Sequence, residues 1–533
     1  MKLRLLVTLC TSVLLQPAAT FAHEEESSTV GRLGKVSFET SCDPKVQAEF
    51  LRALAMLHSF WYGAAEHEFA DIMMKDPSCS IAAWGYASIL MSNPLGGVGS
   101  TPENAKKAQA ALDWAHKSPA KTGRERDYID AVGAYYADWE NHSERERQVA
   151  RSRAYEALAA KYPNDDEAQI FNALYIAGTQ LQSEQTFAAY LRAASILEDE
   201  FKKYPDHPGV AHYLIHSYDA PPIAEKGLPA ARRYAGIAPD APHALHMPSH
   251  IFTRVGAWED SASTNLRSFE IAKLSDSDIG EAYHASDYAV YAFLQLGRDA
   301  EAKSQMDKAM VLRTTKPNVA APYAFASMPA RYAIERGDWQ AATKIPVTDT
   351  NVPFTDAITY YARALGAARL GDVETAQKEA QGLERIHAKL DESQNRYWAT
   401  EVEVQQLTIA AWIAHKQGKG EEGLKLMRAA ADLEDSHEKH IVTPARVLPA
   451  RELLGEMLLE QNQPALALNA FEASQKREPN RFRNYWDSAQ AAEAMGNLRL
   501  AAAYYQRLLL LAKNADPGAR PELARARTAV ALR

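Results

Sequence analysis

A short signature returns along this chain. Gly256-Ala-Trp258, Gly297-Arg-Asp299, Gly337-Asp-Trp339, Gly371-Asp-Val373 and Gly496-Asn-Leu498 each end one helix-forming run and lead into another, alanine-rich one. Glycine is the usual residue just past a helix C-terminus. The runs are rich in Ala, Leu, Glu, Gln and Arg, all strong helix formers, and no stretch alternates as a half-buried strand would. Pro77, Pro163, Pro205, Pro239 and Pro479 end further helices. A lone pair of amphipathic helices cannot bury its apolar face and must stack on neighbours. The expectation is an all-α fold, a TPR-like (tetratricopeptide-like) solenoid of stacked antiparallel helix pairs with a concave inner groove. A chain of 533 residues also exceeds what one compact core supports, which suits a modular array.

The N-terminus carries a basic start (Lys2, Arg4), an apolar run from Leu5 to Leu15, and small residues from Ala18 to Ala22. Those three parts in that order read as a signal peptide over residues 1–22. The apolar run is too short to span a bilayer, and no later stretch approaches about 20 apolar residues. The mature protein is therefore expected to be exported, periplasmic or secreted, with no membrane span. Residues 23–35 are polar and read as a disordered lead-in. Two blocks of repeats are expected, 36–345 and 346–533, divided at the break around Pro346 and Pro353. With Cys10 in the leader, Cys42 and Cys79 remain, and an oxidising compartment favours a disulfide between them.

Histidine is concentrated in one place. Six of the sixteen lie between His207 and His250. Four form the pairs His212/His216 and His246/His250, each spaced i, i+4 and so on one helix face. The second pair follows the first by 34 residues, the length of a tetratricopeptide unit. Counted back from Gly256 and Gly297, His246 and Asp287 share a register position, as do His243 and His284. Three consecutive first helices, near 208–218, 248–256 and 281–296, would then bring His212, His216, His246, His250, His284 and Asp287 together on the inner surface. Neighbouring helices lie about 8–10 Å apart, so several imidazoles and a carboxylate can meet at one point and hold a transition metal, copper or zinc ahead of iron. His243, placed in the turn before Pro248, is a further candidate, as is His440, from a loop that could reach across the concavity. His207, ahead of Pro208, reads as a helix cap.

Ligating imidazoles need a partner on the other ring nitrogen, for which Tyr213, Tyr218, Asp219, Glu281 and Tyr288 are near enough in sequence. Arg331 and Glu335 are four apart; they read either as an ion pair within a helix or as a clamp for substrate. The motif His-Glu-x-x-His is missing, as are a phosphate loop, a Gly-x-Ser-x-Gly elbow and a dinucleotide fingerprint. Formal charge is −9, and loss of Lys2 and Arg4 with the leader takes it to −11, so nucleic acid is not an expected partner.

Leu57-His-Ser-Phe-Trp61, His207-Pro-Gly-Val-Ala-His212-Tyr-Leu-Ile-His216, Pro242-His-Ala-Leu-His-Met-Pro-Ser-His250, Tyr283-His-Ala-Ser-Asp287-Tyr and Glu438-Lys-His440 with Thr443-Pro444 resemble a histidine-rich family of exported bacterial tetratricopeptide-repeat proteins. The resemblance implies the helical-repeat fold, leaves the reaction open, and adds His58 to the candidate ligands. Two functions remain in view. One is a metalloprotein with copper redox or metal-assisted hydrolytic chemistry on a small-molecule or peptide ligand. The other is a scaffold that binds a peptide or protein partner in the groove, its histidines only lining the wall.

Overall fold

The computed structural model describes residues 32–313, 320–347 and 350–531. The expected leader and residues 23–31 of the lead-in lie outside them. Residues 32–35, expected to be disordered, are held in place. Leu33 is buried in the core, Lys35 N donates to Asp206 O at 3.0 Å, and Arg32 N donates to Asp240 Oδ2 at 2.6 Å. The polar context of this stretch hid a leucine with an apolar pocket to fill.

Among the described residues every regular element is a helix. Consecutive helices joined by short turns pack in pairs: Pro353–Leu370 with Val373–Glu392, Arg396–Lys416 with Gly420–Asp435, Ala450–Glu460 with Pro464–Arg477, Phe482–Ala494 with Leu498–Leu511. Alternate helices also stack, Ile279–Gln295 on Ala320–Ile334, the latter on Pro353–Leu370, and that in turn on Arg396–Lys416. Pairs stacked on pairs make a TPR-like helical-repeat solenoid. No helix among the described residues is long and apolar enough to cross a membrane. The sulfurs of Cys42 and Cys79 are bonded, tying the chain before Gln47–His58 to the turn after Tyr62–Lys75.

Proline sets the helix starts around the histidines. Pro208 occupies the first turn of Pro208–Ser217, and His207 caps it, its Nδ1 accepting from Val210 N at 3.3 Å. Pro242 opens Pro242–His246 in the same way. Pro248 has no N–H to continue the ladder, so the chain breaks at Met247 and restarts as Pro248–Arg254. His243 therefore lies on a short helix, not in a turn as expected.

The superhelix curls until its last repeats touch its middle. Gly256 takes φ +69°, and a Cβ there would lie 2.7 Å from Pro479 O and from the Asn480 side chain. Both the left-handed backbone and the close approach demand glycine. Trp258 Nε1 donates to Asn480 O at 2.7 Å. Arg481, fully buried, reaches Glu335 and Glu452 at 2.8 Å each and the Tyr291 hydroxyl. Arg520 pairs with Asp299 at 2.7 Å. The apolar core from Tyr323 to Ala526 runs across the break at Pro346.

Residues 436–449 leave the C-terminal repeats and cross to the N-terminal ones. Glu438 N donates to Gln182 O at 2.8 Å, His440 Nε2 to Gly96 O at 3.2 Å, and Ile441 packs into the core of residues 33–252. Glu434, just before this crossing, accepts from Ala450 N at 2.8 Å. Burial, with the Glu401 charge adding to it, outweighs Arg446 and pushes the Glu434 carboxyl up to about 8. A carboxyl raised on folding contributes stability that is complete below its unfolded pKa, about 4.5, and is lost as pH rises through about 8. Glu434→Gln is therefore expected to flatten the fall in stability between pH 5 and 8 by at least about 1 kcal/mol, the equivalent of one pKa unit. Urea unfolding of both proteins at the two pH values checks it, and parallel slopes would show Glu434 ionised in the folded protein.

Candidate metal centre

Pro208–Ser217 presents His212 and His216 on one face, and Pro242–His246 turns His243 back toward them. One nitrogen from each of the three comes within 4.8 Å of the others. His212 Nδ1 donates to the His58 carbonyl at 2.7 Å, and His243 Nδ1 donates to Glu281 Oε2 at 3.1 Å. These bonds fix both tautomers and leave Nε2 as the free nitrogen. The Nε2 atoms of His212, His216 and His243 are all buried without a hydrogen-bond partner. A buried polar atom left unpaired costs about 1–3 kcal/mol, and each ring of this cluster carries one.

A second trio stands beside the first. His246 and His250, from successive short helices, meet His284 of Ile279–Gln295. The amide nitrogen of Asn265 donates to Ser261 O at 2.7 Å, which turns Oδ1 toward His246 Nδ1 at 2.6 Å. His250 Nδ1 donates to Asp219 Oδ2 at 2.8 Å. Both Nδ1 atoms therefore carry protons, and the two Nε2 atoms face each other at 3.0 Å. Two neutral imidazoles so arranged point lone pair at lone pair. Something positive between them relieves that repulsion. His216 and His250 have ring centroids 5.7 Å apart, His243 and His246 5.8 Å, so the trios are immediate neighbours.

None of the six histidines is more than 9 % exposed as a whole residue. Burial holds His212, His216 and His246 well below the usual histidine range, with neighbouring imidazoles adding to the effect. Burial likewise lowers His250, against the pull of Asp219, and takes His284 down to about 3 despite Glu281. Neutral imidazole is the form that ligates.

Around the rings lies a charged frame. Asp219 accepts from Arg254 Nε at 2.7 Å as well as from His250, and Lys439 Nζ lies 3.6 Å away. Arg254 continues to Glu438 at 3.1 Å. Burial brings the Lys439 ammonium down to about 8, and its Nζ has no hydrogen-bond partner. Tyr288 stacks on His250 with centroids 5.1 Å apart and donates to Thr443 O at 3.0 Å. Through these contacts residues 436–449 close over the histidines.

Several expected members lie elsewhere. Asp287 faces Arg331, Oδ1 to Nε 3.4 Å, and joins neither trio; burial raises its carboxyl against the Arg331 charge. Arg331 spends its other nitrogens on the carbonyls of Ala445 and Arg446, at 2.7 Å each. Glu335 turns to Arg481, so the two form no clamp. His440 bonds Gly96 O and Val442 N and packs on Trp398, and it is a member of neither trio. His58 binds Glu167 at 2.9 Å and the Tyr213 hydroxyl at 3.0 Å, and His207 takes the other Glu167 oxygen at 3.0 Å. That cluster is hydrogen-bonded throughout, and the His58 carbonyl links it to His212 of the first trio. Tyr218 goes to Glu198. Asn265 went unnamed in the sequence, and Lys439 was quoted within Glu438-Lys-His440 without a role of its own. Asn265 is legible as a polar residue on the apolar stripe Trp258, Ala262, Phe269 and Ala272; Lys439 is flagged only by its neighbours Glu438 and His440.

Comparison with other proteins adds little to this picture. No family model matches the chain, and no curated protein sequence does. Among solved structures it is similar to the Cut9–Hcn1 hetero-tetramer of APC/C, with 12% identity, TM-score 0.34 and coverage of 90% of this chain and 89% of the other. It is similar also to the human IFIT1 dimer with PPP-AAAA, with 12% identity, TM-score 0.38 and coverage of 77% and 87%. The helical-repeat fold rests on the helix packing described above, and neither likeness bears on what this chain binds.

Proposed function

We propose that this is an exported, TPR-like metalloprotein that holds a transition metal ion on the inner face of its repeats. The observation that carries the reading is the cluster of His212, His216 and His243, with one nitrogen of each within 4.8 Å of the others and with all three Nε2 atoms buried and without a partner. Two of them are oriented from behind, by the His58 carbonyl and by Glu281, the support that ligating imidazoles need. Three protein ligands leave a fourth position for water or a small ligand, the pattern of catalytic rather than closed structural sites. An all-imidazole set suits copper or zinc, with iron or nickel also within its range. A peptide partner is the weaker reading, because residues 436–449 already lie over the histidines where a peptide would have to lie.

The test is elemental analysis of mature protein purified without an affinity tag. Near-stoichiometric copper, zinc or iron is expected, with loss of the ion held by the first trio in His216→Ala at unchanged helicity. Glu281→Gln should weaken that ion by about 10–100-fold, the usual effect of losing a group behind a ligand. Failure of every metal to bind on reconstitution would leave the scaffold reading standing.

A further inference from the structure

We propose that the two histidine trios form one two-ion chamber and that it is built for a pair of copper ions taken up as copper(I). The inference rests on the metal reading above and extends it in number and identity.

The second trio carries its own argument. Asn265 and Asp219 place the protons of His246 and His250 on Nδ1, so the 3.0 Å between their Nε2 atoms separates two lone pairs. Two nitrogens bound to one ion at about 2.0–2.1 Å stand about 3.4 Å apart, so a slight opening of this pair fits an ion. His284 supplies the third donor. The first trio is complete without any of these residues, and the second without any of the first. The contacts His216–His250 and His243–His246 put the two sets wall to wall. In known two-metal sites the ions lie about 3.5–4 Å apart, and neighbouring rings at these separations are compatible with such a spacing.

Charge selects the ion. All six donors are imidazoles, which ligate without bringing negative charge, and neither trio includes a carboxylate or thiolate. The carboxylates next to the chamber are Glu281 and Asp219, and Asp219 is already engaged by Arg254 and Lys439. Two divalent ions would bring four positive charges into this buried volume with little to oppose them. Unpaired buried charge is strongly penalised. Two copper(I) ions bring half as much, and copper(I) is satisfied by three nitrogen donors, whereas zinc keeps four ligands.

The experiment is anaerobic titration of the intact, metal-stripped protein with copper(I), then oxidation with ferricyanide and paramagnetic resonance. Two coppers per chain, with a spin count after oxidation well below the copper count, are expected for interacting ions in one chamber. His246→Ala and His212→Ala should each retain one copper, with full spin count and wild-type helicity; because these substitutions touch the core, the wild-type stoichiometry and spin count stand independently of them. One copper per chain overturns the pair and leaves the first-trio reading intact. No copper but two zinc ions overturns the choice of ion alone. Two coppers with two independent spins overturn the shared chamber. No metal of any kind removes this inference and the proposed function together.

Discussion

Asp219→Ala is expected to destabilise the folded protein by about 3–5 kcal/mol, the usual cost of leaving a buried partner charge uncompensated. Asp219 accepts from Arg254 at 2.7 Å and His250 at 2.8 Å, has Lys439 at 3.6 Å, and is almost entirely buried. Its removal strands a guanidinium and an ammonium in the interior, with Glu438 left to face Arg254 alone. The same change frees the His250 ring to turn, so a second effect follows at the metal: affinity of the second trio should fall by about 10–100-fold. Asp219→Asn separates the two effects, because an amide keeps an oxygen for His250 Nδ1–H while losing the charge. Urea unfolding and metal titration of the three proteins measure both. A loss below about 1 kcal/mol in Asp219→Ala would put Arg254 and Lys439 in water rather than in the core.

Arg481→Ala is expected to cost a similar 3–5 kcal/mol, for a different reason. Arg481 is the buried cation at the seam between the last repeats and the middle of the solenoid, bonded to Glu335, Glu452 and Tyr291. Alanine leaves Glu335 and Glu452 sharing an interior with no cation between them. Hydrogen exchange should show protection lost first in Phe482–Ala494 and Leu498–Leu511, since these repeats are docked through Arg481, Trp258 and Arg520. Arg481→Met keeps most of the volume and isolates the charge. Equal loss of protection along the whole solenoid would mean that the seam does not unfold as a unit of its own.

Much of the architecture was readable in one dimension because its causes are local. Glycine past a helix end, proline in a first turn and helix-forming residues between them need no partner to act. The i, i+4 spacing of His212/His216 and of His246/His250 likewise says which side chains share a face. Leu33 shows the limit of such reading, since a single apolar residue in a polar stretch packs only if a distant surface offers it a pocket.

The histidine cluster divides along the same line. That His212, His216, His246, His250 and His284 belong to related helix faces was read from helix periodicity and the glycine register. Periodicity cannot say which neighbouring helix a face meets, nor how far a proline break rotates the chain. What reads as a turn before Pro248 is a short helix of its own, and the two short helices aim His243 at His212 and His216 while His246 and His250 aim at His284. One site with a carboxylate thus became two trios without one. Asp287 holds the register of His246, yet its charge is drawn to Arg331. Glu281 and Asp219 were candidate partners from the sequence, but only packing assigns them, Glu281 to His243 across 38 residues and Asp219 to His250 across 31. Lys439 is farther still and arrives only because residues 436–449 cross to the N-terminal repeats. Sequence alone determined the repeats and which histidines they carry, because those depend on short-range backbone preference. Which nitrogens point at one another, and what stands behind them, was decided by packing between helices, where free energy depends on neighbours that the linear order does not specify.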